Sequence, residues 1–165
     1  MNSKEEYFTQ VYEQNKDKIY RLCLGFTGNA FDANDLLQEI VIKIWNNLNS
    51  FKGESQISTW IYRIATNTAI LYSKRKGKFD TKFPRLKSDN EEAISQEEDL
   101  SSREKEINQL YTAIASLKEM DRILIGLLLE ENSYKEISNI TGLSLSNVGV
   151  RINRIKKKLN KKLNS

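Results

Sequence analysis

Asp35 and Glu39 stand one helical turn apart, a spacing that paired carboxylates could use for general acid–base work. No second pair stands with them, no phosphate-binding glycine loop follows, and the chain has no histidine. A Ser-His-Asp triad therefore lacks its base. With Cys23 as the one cysteine, a zinc site lacks its ligands. A single cysteine forms no internal disulfide and fits a reducing cytosol. A helical enzyme is thus weakly supported, and the expectation is no catalytic residue, no metal and no cofactor.

The chemistry that the residues do support is recognition of a polyanion. The 165 residues carry 26 basic and 22 acidic side chains, a formal charge of +4 that conceals strong sorting. Residues 1–75 are nearly balanced, 76–87 are basic, 88–106 are acidic and 107–165 are basic. From Arg151 to Ser165 there are 7 basic residues and no acidic one. Basic blocks suit nucleic acid, although a solvated face would look the same.

The element that carries the last block is an amphipathic helix. Val148, Ile152, Ile155, Leu159 and Leu163 step by three or four and make one apolar stripe. The opposite face carries Ser146, Val150, Asn153, Arg154, Lys157 and Lys161. Arginine can bond guanine through two N–H groups, asparagine can bond adenine, and Val150 could touch a thymine methyl. The lysines suit phosphates. Ahead of this helix, Ser133 and Glu136 have the spacing of a capping box. Gly142 suits a left-handed turn, and Ser144 suits the next cap. The unit reads as a helix-turn-helix with its second helix presented to a major groove. Gly149 costs that helix about 1 kcal/mol relative to alanine.

The rest of the chain is also helical in pattern, with one proline, Pro84, and no sustained period-two alternation. A first helix is expected over about Lys4 to Phe26. A second is expected to open on Asp32 as its cap, with Leu36, Leu37, Ile40, Val41, Ile44, Trp45 and Leu48 buried. A third is expected to open after Ser58, with Trp60 and Ile61 inward and Tyr62, Arg63, Thr66 and Asn67 outward. Ile107–Leu117 and Met120–Glu130 fit two more helices. From Ser73 to Ser102 the pattern fails, and this polar stretch reads as a linker. The expectation is an all-α protein of two small domains, 1–75 and 104–165, joined by a flexible linker over 76–103. No apolar run approaches the ~20 residues of a membrane helix, and the opening MNSKEEYFTQ lacks an apolar signal core. A cytoplasmic protein without membrane insertion is expected.

Two well-separated stretches resemble the extracytoplasmic-function (ECF) class of RNA polymerase sigma factors. One runs from Asp32-Ala33-Asn34-Asp35-Leu36-Leu37-Gln38-Glu39 to Lys43-Ile44-Trp45, then through Phe51-Lys52-Gly53-Glu54-Ser55 and Ser58 to Asn67; it is similar to sigma region 2. The other, Tyr134 to Leu159, is similar to sigma region 4. The resemblance covers nearly the whole chain outside the linker. It implies a non-enzymatic subunit that binds core RNA polymerase, recognises the −35 and −10 promoter elements, and helps melt the −10 region.

By position, the resemblance assigns Asp35, Gln38, Glu39 and Ile42 to core polymerase. Asp35 stays open between that role and a helix-capping one. Phe51, Lys52, Ser55, Trp60, Tyr62, Arg63 and Asn67 fall where the family meets the −10 element, with Trp60 and Phe51 open between DNA and packing. Ser146, Asn147, Val150, Arg151, Asn153, Arg154 and Lys157 fall where it meets the −35 element. Two departures concern specificity. Leu71 stands where the family often has an acidic residue, and Gly149-Val150 stands where it has a basic or hydroxyl pair. An anti-sigma factor is a further implied partner. The acidic linker is either a tether or a mimic of RNA. A stand-alone helix-turn-helix regulator is the alternative from another class, with residues 1–75 as a sensor.

Overall fold

The computed structural model describes residues 2–82 and 101–164, and within them every regular element is helical. The elements are α1 (Ser3–Thr27), α2 (Ala30–Asn47), a single 3-10 turn (Leu48–Ser50), α3 (Ile57–Lys82), α4 (Ser102–Ala115), α5 (Glu119–Leu129), α6 (Tyr134–Thr141) and α7 (Leu145–Leu163).

Local chemistry sets most of the boundaries. The Asn2 side chain caps α1 by accepting from Glu5 N–H at 2.8 Å. The cap of α2 differs from expectation. Asn29, not Asp32, accepts the first-turn N–H, from Asp32 itself at 2.8 Å. Asp32 is thereby freed to point into the domain, where Tyr72 and Lys76 meet it. Helix α3 begins at Ile57, so Ser58 lies inside its first turn rather than at its cap. It also continues to Lys82, past Ser73 where the apolar pattern was expected to fail. Past Ser73, Arg75 pairs with Glu39 and Lys76 with Asp32, both on α2. Most of the acidic linker lies outside the described residues.

Helices α1, α2 and α3 bury Ile19, Leu22, Phe26, Leu36, Ile40, Ile44, Ile61 and Ala65 together. In the C-terminal half, α4 to α7 bury Ile114, Ile123, Leu124, Leu127, Ile137, Val148, Ile152 and Ile155. Each fully buried Leu or Ile contributes about 1.5–3 kcal/mol of apolar transfer. Leu163 does not join the α7 stripe; it is 41% exposed.

The halves do not stand apart. Helix α5 is the hub, packing on α1, α3, α4, α6 and α7, so the two apolar clusters run together. Gly126 lets α5 approach α1: a Cβ there would lie 2.7 Å from Leu22 Cδ1. Arg21 closes the rim with two hydrogen bonds to Glu130, at 2.6 and 2.8 Å. Arg122 lies 4.5 Å above the Phe26 ring and donates to the Phe26 carbonyl at 2.6 Å.

Candidate nucleic-acid interface

The C-terminal unit is built as its residues demand. Ser133 and Glu136 make the full capping box, with bonds of 3.1 and 3.3 Å. Gly142 takes φ 80° and returns its N–H to Ser138 O at 2.9 Å. Ser138 Oγ donates to Leu143 O at 2.5 Å, which fixes the turn from within. Ser144 then caps α7 by accepting from Asn147 N–H at 3.2 Å. Ile137 and Ile140 of α6 bury with Val148, Ile152, Ile155 and Leu159 of α7. That packing turns the other face of α7 outward.

Ser146, Asn147, Val150, Asn153, Arg154 and Lys157 are all exposed on that face, and Val150 is 51% exposed. Arg151 sits at its edge. Its guanidinium reaches back to Asp121 at 3.3 Å, so the side chain also ties α7 to α5. Gly149 has no steric reason to be glycine, since a Cβ there would make only ordinary contact, 3.8 Å, with the Tyr134 ring.

In the N-terminal half, α2 buries one stripe and shows another. Asp35, Gln38 and Ile42 are exposed, Ile42 by 57%, while Glu39 is half-buried and pairs with Arg75 of α3. Burial would raise the Asp32 carboxyl, but hydrogen bonds from Lys76, Asn29 and Tyr72 outweigh it and hold the group below the usual carboxylate value. Burial, with the Asp32 and Asp35 carboxylates beside it, pushes the Tyr72 phenol up.

The loop between α2 and α3 stands open. Gly53 has φ 75°, with nothing within 4 Å of a would-be Cβ. Phe51 and Trp60 meet at 5.4 Å between ring centroids. Beside them lies a hollow of about 260 Å³ lined by Lys43, Asn47, Ser50, Trp60, Ile64, Asn67 and Thr68. Trp60 is thus neither simply core nor simply surface. Lys43, Asn47 and Ser50, to which the sequence assigns no role at the site, also line this hollow. The visible signal was the four-residue step from Lys43 to Asn47, which sets both on the side of α2 facing α3.

Two expected outward residues are not outward. Tyr62 is 4% exposed and Thr66 is also buried, because the C-terminal half covers this side of α3. Burial, with Glu130 nearby, pushes the Tyr62 phenol up to about 12. Arg63 remains exposed, but its Nε–H donates to the Asn139 carbonyl of α6 at 3.0 Å. Lys52 is exposed and Ser55 half-buried in the loop, and Asn67 is exposed at the hollow. The continuous core is therefore not a buried site: the glycine loop and the basic front of α7 both face outward.

Residues 11–79 match the family model described as Sigma-70 region 2, and residues 107–159 match the one described as Sigma-70, region 4. The chain is 31% identical over 164 residues to RNA polymerase sigma factor YlaC of Bacillus subtilis (strain 168), covering 98% of this chain and 92% of that one. It is 31% identical over 173 residues to ECF RNA polymerase sigma factor SigW of the same strain, covering 96% and 90%. Among solved structures, the fold resembles sigma factor RpoE, crystallised with the anti-sigma factor NepR from Bartonella quintana. The TM-score is 0.75 at 18% identity, over 96% of this chain and 98% of that one. It also resembles CnrH in complex with the cytosolic domain of CnrY, with a TM-score of 0.67 at 21% identity, over 97% and 89%.

A helix-turn-helix with an exposed basic helix fits a DNA-binding protein. This chain belongs to the sigma-70 family of RNA polymerase sigma factors, in the ECF class. It is accordingly a non-enzymatic transcription initiation factor that binds core RNA polymerase and recognises promoter DNA. The stand-alone regulator is thereby set aside.

Proposed function

We propose that the two halves divide the promoter between them, residues 1–75 taking the −10 element and 104–165 the −35 element. The observation that carries this reading is the hollow between α2 and α3. A base turned out of its stack loses a few kcal/mol. Aromatic stacking returns about 1–3 kcal/mol per base. Trp60 and Phe51 supply the rings, and Asn47, Asn67, Ser50 and Lys43 supply amide, hydroxyl and cationic groups around a volume fit for one nucleobase. Asn153 and Arg154 on α7 would read −35 bases in the major groove, with Lys157 on phosphate and Ser146, Asn147 and Val150 at the groove edge. Arg151 serves the fold as well as the DNA, through Asp121. On α2, Asp35, Gln38 and Ile42, with Glu39 beside them, form the patch for core polymerase: a mixed polar and apolar strip with no covering element among the described residues.

In this reading the protein works in the cytoplasm, where polymerase and template are found. No described helix is long and apolar enough to cross a membrane. The similarity to a sigma factor crystallised with an anti-sigma factor supports a partner of that class here also.

In vitro transcription with core polymerase, followed by sequencing of the transcripts, tests the assignment. Start sites should share two sequence blocks. Asn67→Ala should change preference only in the downstream block, and Arg154→Ala only in the upstream one. If both variants shift the same block, or neither, the division of labour is wrong.

A further inference from the structure

One face of α3 changes character along its length. Trp60, Ile64 and Asn67 follow one another at helical spacing and line the hollow taken above for an unstacked base. Leu71 is the next residue of that row, one turn and about 6 Å beyond Asn67. It is 51% exposed. A further turn along stand Lys74 and Arg75, both exposed. Leu71 follows Tyr62 by about two and a half turns, so it looks away from the side of α3 where Tyr62 is buried.

The row reads as a passage from single to double strand. A hollow that holds one base needs a strand that is already unpaired there. Exposed cations on a helix ridge suit the phosphates of the strand beyond it. Leu71 stands between the two, where the duplex forks. The last base pair at such a fork has lost its stacking neighbour to the hollow. An apolar side chain replaces that contact, and proteins that unstack duplex steps insert Leu, Ile or Phe for the purpose. A single exposed leucine is ordinary by itself; its position between the hollow and the cations is what gives it a task.

We propose that Leu71 is a wedge for promoter opening: it packs on the terminal base pair beside the base held in the hollow, with Lys74 and Arg75 on the phosphates of the paired side. This rests on the −10 assignment of the hollow above. The rival occupant is core polymerase, since Arg75 pairs with Glu39 and so ties this part of α3 to the strip on α2. The cationic neighbours on the same ridge favour DNA.

The test uses the full chain assembled with core polymerase, and the strongest promoter recovered by the transcript sequencing above. The promoter is supplied either fully paired or as a heteroduplex mismatched across the downstream block. Permanganate reactivity of thymines in that block reads opening of the paired template, and run-off transcript yield reads both. Leu71→Ala should slow opening of the paired template about tenfold. On the mismatched template, where the strands are already apart, its yield should equal the parent's. Leu71→Phe should keep opening, and Leu71→Asp should lose it. Trp60→Ala should be defective on both templates, because the unstacked base still needs its ring. A Leu71→Ala defect that persists on the mismatched template, or no defect on the paired one, overturns the wedge. Weaker binding of Leu71→Ala to core polymerase assigns the residue to that partner and overturns it as well. If Trp60→Ala is unimpaired on both templates, the hollow assignment fails, whereas a Leu71→Ala defect confined to the paired template upholds the wedge, so the two are told apart.

Discussion

Asp32 and Lys76, 44 residues apart, form a partly buried ion pair that fastens the first turn of α2 to the far part of α3. Tyr72 O–H adds a bond to the same carboxylate at 3.3 Å, and Asn29 Nδ2 another at 2.8 Å. The contact holds the start of the proposed polymerase-binding helix against the helix that carries the proposed −10 residues.

Asp32 is held below the usual carboxylate value. Its stabilising contribution is therefore complete above the unfolded pKa of about 3.9 and is lost as pH falls through the lower, folded value. Asp32→Asn should cost about 1–3 kcal/mol at neutral pH and flatten the acid limb of stability. Urea unfolding at a series of pH values measures both. An acid limb identical to the parent's would remove Asp32 as its source.

Arg154→Ala should weaken −35 duplex binding by about 1–3 kcal/mol and relax preference at one base position. Lys157→Ala should instead weaken all sequences alike and reduce the salt slope by about 1. Footprinting over a promoter library at several salt concentrations separates the two. Equal behaviour of both variants would mean that Arg154 reads phosphate, not base.

Trp60→Ala should leave the −35 footprint intact while reducing opening of the −10 region. About 1–3 kcal/mol of stacking is at stake. Permanganate reactivity of −10 thymines in the polymerase complex reports opening. Circular dichroism checks that α3 has kept its helix, since Trp60 also packs on Phe51.

Gly149→Ala should stabilise the C-terminal half by about 1 kcal/mol, because alanine loses less backbone entropy in a helix. The site has room, with the nearest ring atoms 3.8 Å from the new methyl group. A rise in melting temperature is expected. A fall would show that this glycine serves the helix in a way its packing does not reveal.

Local signals carried the helix-turn-helix almost whole. Ser133, Glu136, Gly142 and Ser144 act on N–H and C=O groups within a few residues, so their spacing was enough. The stripe from Val148 to Leu159 was equally legible, because helical periodicity fixes which side chains share a face. The cap of α2 was misread for a physical reason. Asp32 and Asn29 both have capping side chains, and what separates them is a pair of partners on α3, Tyr72 and Lys76, that no local window contains.

Periodicity set aside two faces of α3, but it could not say what would cover the second. Tyr62 and Thr66 look like surface when α1 to α3 are considered alone. They become interior once α5 and α6 settle on them. Arg63, legible as a cation for DNA, donates its Nε–H to the backbone carbonyl of Asn139, 76 residues away. The sequence by itself determined that the chain is helical, the apolar stripes of α2 and α7, and the exposed basic front of α7, since each depends on neighbours within one or two turns. Only the tertiary structure decided that the halves close on one another and that a hollow forms between α2 and α3, because those depend on surfaces far apart in the chain whose shapes must fit.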